Sequence, residues 1–394
     1  MDNNLINSNI DFYINELVEK ALKLNASDIH IEPMDEKFSR IRFRIDGKLR
    51  VISEMDYSSY IKLLTRIKLS SKLDISEKRR PQDGYLKLEK FPEIDFRIST
   101  LNTIVGEKLV LRILSIENFK KSQNLLGFSD DSKKILENSI KNKSGMIIFS
   151  GPTGSGKSTS LYSLLNKLND EKRNIISIEN PVEINILGIN QISINEKIGL
   201  TFQNALRSIL RQDPDIIMLG EIRDKETAKM AVRAAITGHL VLTTLHTNNS
   251  FASINRLRDL GVEDYLIKQS VNTLASQRLV RKLCSCKKKR KISKEEYNFV
   301  KNYFDIDEET YIYDPGSCEK CHDGYLGREA VEEIVDFDDD YKNLFFENKN
   351  FNKNDLDILN KEKNFKSMTY NGIKKVLEGV TSFEEILDSI YYFN

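Results

Sequence analysis

The stretch Gly151-Pro152-Thr153-Gly154-Ser155-Gly156-Lys157-Ser158-Thr159 decides the fold of this chain, because it fits the phosphate-loop pattern G-x-x-x-x-G-K-[ST]. The apolar run before it, residues 146–150, predicts a buried strand. Leucines at helical spacing after it predict an amphipathic helix, namely Leu161, Leu164, Leu165 and Leu168. A chance glycine-rich turn is the alternative, and the strand and helix on its two sides argue against it.

A loop of this kind captures the phosphates of a nucleoside triphosphate. Its glycines let backbone N–H groups turn towards the β-phosphate, and the start of the helix adds the positive end of its dipole. In this motif Lys157 reaches the β- and γ-phosphates and the Ser158 hydroxyl ligates Mg²⁺. We therefore predict that residues 151–159 bind the nucleotide.

The composition limits the classes of function. A chain of 394 residues is longer than a domain with a single hydrophobic core usually is, so we expect two or three domains. A net charge of +1 provides no basic excess for wholesale nucleic-acid binding. No apolar run approaches the ~20 residues of a membrane span, and the polar start at 1–9 is unlike a signal peptide. These features predict a cytoplasmic protein without direct nucleic-acid contact.

The region 1–116 predicts a compact α+β domain. It opens with an amphipathic helix that ends near Asn25. Short strands are predicted to follow at 29–31, 41–45, 49–52, 84–88, 94–99 and 108–114. One helix is predicted between them, at 61–69. Arg97 and Arg112 stand on two of these strands, either as solvated residues or as phosphate contacts. Residues 117–128 are mostly polar and suit a linker.

From Ser129 onward, strands and helices alternate, which predicts a mostly parallel sheet. The run 215–221 is apolar and ends in Glu221, so we expect a strand that delivers a carboxylate beside the magnesium. The segment 188–194 predicts a hairpin strand. Arg207 and Arg211, four residues apart, are predicted to share one face of a helix.

The run 238–247 predicts a buried strand that ends in polar residues, His246 among them. Ligands of open parallel sheets lie beyond the carboxyl ends of the strands. His246 is therefore either a structural hydrogen-bonding residue or a contact of the γ-phosphate.

The cysteines are Cys284, Cys286, Cys318 and Cys321. In a cytosolic chain, paired cysteines indicate a metal site before disulfides, and four thiolates hold Zn²⁺ tetrahedrally. Four free or partly buried thiols are the alternative. The basic run Lys287–Lys291 follows, either as a solvated loop or as a patch for anionic lipid or an acidic partner.

Four motifs in order resemble the secretion and pilus motor ATPases, the hexameric engines of type II secretion, type IV pili and competence pseudopili. They are the phosphate loop, the acidic box Glu179-Asn180-Pro181-Val182-Glu183, the segment 210–224 and the histidine motif 238–247. Two further segments, 26–33 and 42–47, resemble the second N-terminal domain of that family.

The resemblance implies an α/β fold with three parts. A small N-terminal α+β domain, PAS-like, would occupy 1–116, and a linker 117–128. A RecA-like P-loop ATPase core would occupy 129–270. A C-terminal helical subdomain, 271–394, would carry the tetracysteine module at 284–321.

The resemblance also implies roles at the site, with ATP as the nucleotide. Glu183 would polarise the attacking water, and Glu221 would hold Mg²⁺ through water. His246, with His239 in the same motif, would link the γ-phosphate to the rest of the ring.

Two pairs of arginines complete the implied site. Arg97 and Arg112 would swing onto the phosphates when the domains close. Arg207 and Arg211 would lie at or near the site, within one subunit or across a subunit boundary. Positive charge that arrives only in the closed state stabilises the transition state of phosphoryl transfer.

The chain departs from the family in three places. Asn180 replaces an Asp of the acidic box, and since Glu179 and Glu183 remain, we expect activity to survive. Cys284-Ser285-Cys286 is one residue shorter than the usual C-x-x-C, which would strain the zinc knuckle. We also expect the first N-terminal domain of longer members to be missing, which leaves the mode of docking open.

The resemblance implies a homohexameric ATPase that extends type IV pili through an inner-membrane platform protein. It would be cytoplasmic, and peripheral at the inner face of the cell membrane through its partners. A type II secretion motor, a competence pseudopilus motor and a retraction motor are alternatives, and the cysteine pairs favour extension or secretion over retraction. A nucleic-acid translocase lacks a basic excess and a strand-binding motif. A nucleotide-gated scaffold without turnover has only Asn180 in its favour.

Overall fold

The computed structural model describes residues 10–115, 127–348 and 351–390. The chain divides into two compact units, Met1–Lys120 and Lys121–Asn394. Residues 117–126 of the predicted linker and the polar start 1–9 lie outside the described residues. No described helix is long and apolar enough to cross a lipid bilayer.

The first unit is a six-stranded antiparallel sheet with two helices packed on it. Its elements are α1 (Ile10–Lys23), β1 (Ala26–Pro33), β2 (Phe38–Ile45), β3 (Lys48–Asp56), α2 (Tyr57–Ser70), β4 (Gln82–Lys87), β5 (Ile94–Asn102) and β6 (Glu107–Ser115). The strand order is β3-β2-β1-β6-β5-β4. Alternating residues bury one face of the sheet against the helices, as in β2, where Ile41 and Phe43 are fully buried.

Charged residues occupy the alternate positions of β1. Asp28 and Glu32 are buried, and Glu32 accepts hydrogen bonds from Arg42 (2.6 and 2.8 Å) and lies 2.7 Å from Lys108 Nζ. Burial alone would raise the pKa of Glu32, but the hydrogen bonds from Arg42 and Lys108 outweigh it and lower the pKa to about 2. The sheet therefore carries fixed, paired charge on the face opposite its apolar core.

The second unit is built on a seven-stranded sheet with the order β15-β12-β7-β11-β10-β8-β9. All its neighbouring strands pair in parallel except β15, which runs antiparallel to β12. The sheet is thus mostly parallel, as the alternation of elements predicts. Its strands are β7 (Gly145–Ser150), β8 (Ile175–Glu179), β9 (Asn190–Ser193), β10 (Ile216–Leu219), β11 (Leu240–Leu245), β12 (Val271–Leu283) and β15 (Tyr325–Asp336).

Helices cover the sheet and complete the carboxyl-terminal part of the chain. They are α3 (Asp130–Ser139), α4 (Lys157–Leu168), α5 (Phe202–Ile209), α6 (Lys225–Ile236), α7 (Ala252–Asp259), α8 (Asp264–Ser270), α9 (Lys294–Val300), α10 (Asp339–Phe346), α11 (Lys353–Glu362), α12 (Met368–Leu377) and α13 (Phe383–Ser389), with a 3₁₀ turn at Glu196–Ile198. The central strands β7, β10 and β11 are buried along their whole length.

Three local predictions are wrong. The segment 188–194 forms no hairpin, because β9 pairs in parallel with β8 after a crossover through residues 180–189. Arg211 lies beyond the helix that carries Arg207, since α5 ends at Ile209 and Asp213 takes a left-handed conformation just before Pro214. The basic run Lys287–Lys291 does not form the predicted solvated loop.

That basic run forms strand β13 (Lys288–Lys291), which pairs with β14 (Tyr311–Asp314). Three of its side chains have partners within the unit. Arg290 bonds Glu296 and Asp314, Lys291 lies 2.5 Å from Glu309, and Lys289 lies over the ring of Tyr311.

The seven-stranded sheet continues past residue 270, the predicted end of the ATPase core. Strand β12 begins at Val271 and pairs in parallel with β7, the strand that leads into the phosphate loop. The division of the chain at 270 stays a prediction.

Candidate functional site

The phosphate loop connects β7 to α4 at the carboxyl edge of the sheet. Gly151, Gly154 and Gly156 all have positive φ angles, of 141°, 80° and 88°. At Gly151 an added Cβ would lie 2.5 Å from the carbonyl oxygen of Gln277, so a side chain does not fit there. Gly156 is the residue that caps the start of α4. The glycines are therefore required by backbone conformation and by the close approach of β12.

Lys157 is buried in this loop. Its Nζ donates hydrogen bonds to the carbonyl oxygens of Gly151 (2.7 Å) and Pro152 (2.9 Å). Burial, and then the positive charge of Arg278, lower the pKa of Lys157 to about 8, while Glu221 acts in the opposite direction. Two cations held this close make the loop electrostatically suited to an anion.

The other loop residues differ in exposure. Pro152, Thr153 and Ser158 are exposed, so the Ser158 hydroxyl is accessible at the first turn of α4. Thr159 is half-buried. Ser155 is buried, and its Oγ has no hydrogen-bond partner among the described residues.

Glu221 and His246 come together beside the loop. Glu221 follows β10. One of its carboxylate oxygens lies 2.7 Å from Arg223 Nη2, and the other lies 3.5 Å from His246 Nε2. Burial, and then the charge of Lys157, lower the pKa of His246, so the imidazole is neutral at pH 7. His239 differs: its Nδ1 lies 2.9 Å from the carbonyl oxygen of Ala234, which is a structural contact at the end of α6.

Glu183 lies on the crossover between β8 and β9. Its side chain is partly exposed and makes no hydrogen bond or ion pair with any described residue. Its backbone N–H donates to Tyr162 Oη at 3.3 Å. Glu179, the first acid of the same motif, is instead buried, and burial raises its pKa. Asn180 is exposed.

Each of the two units contains two of the four predicted arginines. Arg97 and Arg112 belong to the first unit, where they pair across β5 and β6. Arg207 and Arg211 are exposed in the second unit, and the Arg211 guanidinium donates to the carbonyl oxygen of Arg207 (2.9 Å). Neither makes a hydrogen bond or ion pair with the phosphate loop within the described residues. The roles of all four towards the nucleotide stay predictions.

Sequence reasoning missed two residues of β12 that border the loop. Gln277 accepts a hydrogen bond from Ser160 in α4 (2.8 Å). Arg278 is 5% exposed, and its guanidinium donates to the carbonyl oxygens of Gln277 (3.3 Å) and Asn248 (3.1 Å). The available signal was weak, because the Gln-Arg pair stands in a strand that also contains five other polar residues.

The four cysteine sulfurs form one cluster, with all Sγ atoms within 4.8 Å of one another. The Sγ–Sγ distances are 3.7 Å for Cys284–Cys318, 3.6 Å for Cys286–Cys321 and 3.5 Å for Cys318–Cys321. Four sulfurs at about 2.3 Å from a tetrahedral zinc ion lie about 3.8 Å apart. The cluster therefore fits Zn²⁺, and the short Cys-x-Cys pair does not prevent it.

The loop, its buried lysine and the acid that follows β10 define a phosphate-loop protein of mixed α/β fold. Residues 6–388 match the family described as type II/IV secretion system protein. The chain belongs to this family of secretion and pilus ATPases.

Two curated relatives illustrate the family. The type IV pilus assembly ATPase PilB of Acinetobacter baylyi is 44% identical over 381 residues, which are 95% of this chain and 65% of that protein. The type II secretion system protein E of Pseudomonas aeruginosa is 41% identical over 377 residues, 95% of this chain and 74% of that protein. The chain thus spans about two thirds to three quarters of the length of these relatives.

The fold is also similar to a solved structure. The pilus retraction motor PilT with bound ADP superposes with a TM-score of 0.65 at 27% identity, covering 95% of each chain.

Proposed function

We propose that this chain hydrolyses ATP and converts the energy into motion of its domains. The observation that carries the proposal is the Glu221–His246 pair beside the buried Lys157, at the carboxyl edge of a parallel sheet. An acid at a strand end next to a phosphate loop is the arrangement that phosphoryl-transfer enzymes of this class use. Membership in a family of ATPases supports it.

Each residue of the site has a role in this proposal. Lys157 and the backbone N–H groups of the loop bind the β- and γ-phosphates of ATP. Glu183 polarises the water that attacks the γ-phosphorus, and its carboxylate is not engaged by any described residue. His246 senses the γ-phosphate through its neutral ring, while Glu221 keeps it oriented.

Magnesium suits the oxygen donors of this site. An exposed hydroxyl, Ser158, and the carboxylate of Glu221 are the hard ligands that Mg²⁺ prefers. When bound, the ion would neutralise part of the charge on the β- and γ-phosphates.

The finer architecture follows the same reasoning. We propose a PAS-like N-terminal domain (1–116), a linker (117–128), a RecA-like core (129–270) and a C-terminal subdomain (271–394) with Zn²⁺ at its cysteines. Closure of the N-terminal domain would bring Arg97 and Arg112 to the phosphates, while Arg207 and Arg211 would act at or near the site. ATP can drive such closure only if it binds the closed state more tightly than the open one.

The biological process we propose is extension of type IV pili. A homohexamer at the inner face of the cell membrane would transmit rotation or closure to a platform protein that adds pilin subunits. The name of the PilB relative and the four-cysteine cluster favour assembly. Type II secretion is the second candidate, since a relative at 41% identity carries that name. No direct contact with nucleic acid is part of the proposal.

The enzymatic proposal is tested by phosphate release from Mg-ATP with the full chain. Glu183→Gln should reduce turnover to a small residual rate while it leaves nucleotide binding intact. Glu171→Gln is the matched control, because Glu171 is exposed in a turn outside the site. Turnover that survives Glu183→Gln would remove this residue from the mechanism, and strong stimulation by DNA would favour a translocase.

The biological proposal is tested by imaging surface filaments in cells whose only copy carries Lys157→Ala at normal protein level. Loss of filaments is expected for an extension motor. Filaments that persist or multiply would point to secretion or retraction.

A further inference from the structure

A polar network lies beneath the segment that carries Glu183. It consists of Tyr162 on α4, Ser177 and Glu179 on β8, and Gln191 on β9. Tyr162 and Glu179 are 2% and 4% exposed, so the network is held away from solvent at its centre. Tyr162 lies on the helix that begins at Lys157, only five residues further along.

Glu179 is the centre of the network. One carboxylate oxygen accepts from Ser177 Oγ (2.6 Å) and Gln191 Nε2 (3.2 Å), and the other accepts from Tyr162 Oη. A buried carboxylate costs much free energy unless hydrogen bonds satisfy it. The positions of the tyrosine hydroxyl and the glutamine amide are therefore strongly determined.

These same two side chains hold the backbone of the segment that carries Glu183. Tyr162 Oη accepts the backbone N–H of Glu183 (3.3 Å). Gln191 donates to the carbonyl oxygen of Ile184 (3.0 Å) and accepts the N–H of Ile186 (2.7 Å). Backbone groups at three positions of this segment are thus tied to side chains that are themselves bound to Glu179.

We propose that Tyr162 and Gln191 are positioning residues for Glu183, and that Glu179 serves to anchor them. The network joins the helix of the phosphate loop to the backbone that carries the acid, so that Glu183 keeps a set place relative to the γ-phosphate. The inference rests on the proposed role of Glu183 in hydrolysis. Displacement of a catalytic group by about 1 Å can cost roughly 10²-fold in rate.

Tyr162→Phe tests the inference with the loss of one oxygen atom. The variant should lower kcat for ATP hydrolysis by about 10- to 100-fold and leave KM for ATP unchanged, because the phosphate loop is intact. Tyr341→Phe is the matched control. Tyr341 is also 2% exposed, and its hydroxyl donates to Asn360 (2.9 Å), outside the network.

A merely structural role makes a different prediction. Loss of a buried hydrogen bond lowers the unfolding midpoint in both variants, but only positioning lowers kcat in Tyr162→Phe alone. A kcat equal to that of Tyr341→Phe, or a parallel loss of kcat and nucleotide affinity, would overturn the inference. If Tyr162→Phe does not fold, Gln191→Met gives the same test through the contacts at Ile184 and Ile186.

A double-mutant cycle shows whether Tyr162 acts through Glu183. The chain with both Tyr162→Phe and Glu183→Gln should be no slower than Glu183→Gln alone, since a positioning residue has nothing left to position. Independent, multiplied losses would contradict the inference. A wild-type chain that does not hydrolyse ATP would remove the proposed function together with the inference, whereas hydrolysis unchanged by Tyr162→Phe would remove the inference alone.

Discussion

Arg97 and Arg112 lie directly opposite each other on the antiparallel strands β5 and β6 of the first unit. Like charges in this position destabilise a sheet. Arg112 has a counter-charge, with its Nε 3.0 Å from Asp28, but Arg97 makes no hydrogen bond or ion pair with a described residue. Arg97 therefore carries a positive charge beside a second cation and has no carboxylate partner among the described residues.

The first prediction concerns Arg97. Arg97→Ala should slow ATP hydrolysis on the order of 10³-fold, the effect of an arginine that stabilises transition-state charge. The unfolding midpoint should stay unchanged or rise, because repulsion by Arg112 is relieved. Steady-state kinetics and thermal unfolding of the same sample measure both. Lys87→Ala, an exposed cation of the same unit, should change neither, and normal turnover in Arg97→Ala would refute the role.

Low pH should destabilise the first unit, because Glu32 becomes protonated and loses its ion pairs. The folded-state pKa of Glu32 is depressed to about 2, whereas the unfolded value is near 4.5. Its contribution to stability is therefore complete above about pH 4.5 and is lost as the pH falls towards 2. Glu32→Gln should reduce the fall of the unfolding midpoint between these pH values. Glu36→Gln, at an exposed neighbouring position, should leave the pH profile of the unfolding midpoint as in the wild type. An identical profile for both variants would contradict the stabilising role of the Glu32 contacts.

The cysteine cluster should hold about one Zn²⁺ per chain, because its Sγ–Sγ distances match a tetrahedral thiolate site. Elemental analysis of protein purified without added metal measures this directly. Cys318→Ser should lose the ion and lower the unfolding midpoint, while Ser317→Ala keeps it. Metal-free wild-type protein with four titratable thiols would contradict the zinc site and weaken the case for pilus extension.

Asn180→Asp, which introduces the Asp that the family resemblance implies for the acidic box, should have little effect. The side chain of residue 180 is exposed, and the buried carboxylate of the motif is Glu179. Asn180→Asp should therefore leave kcat and KM for ATP close to wild type in the phosphate-release assay. A large gain in kcat would contradict this prediction and would mean that the asparagine limits turnover.

Much of the fold could be predicted from local patterns. The strand, loop and helix around 151–159 are adjacent in sequence. The periodicity of the apolar residues and the spacing of the glycines therefore suffice to predict them. The same holds for the mostly parallel sheet and for the acid at the end of β10. The predictions for 188–194 and Lys287–Lys291 failed because strand pairing depends on a partner distant in sequence.

The sequence by itself predicted the phosphate loop, its lysine and the acid after β10 from patterns of residues close together in the chain, whereas the role of Glu183 came from the family resemblance. Only the tertiary structure decided that Arg278 of β12 lies beside Gly151, and that Tyr162, Glu179 and Gln191 converge on the backbone at Glu183. Those contacts join separate strands and helices, and they depend on the burial of the whole sheet rather than on any local pattern.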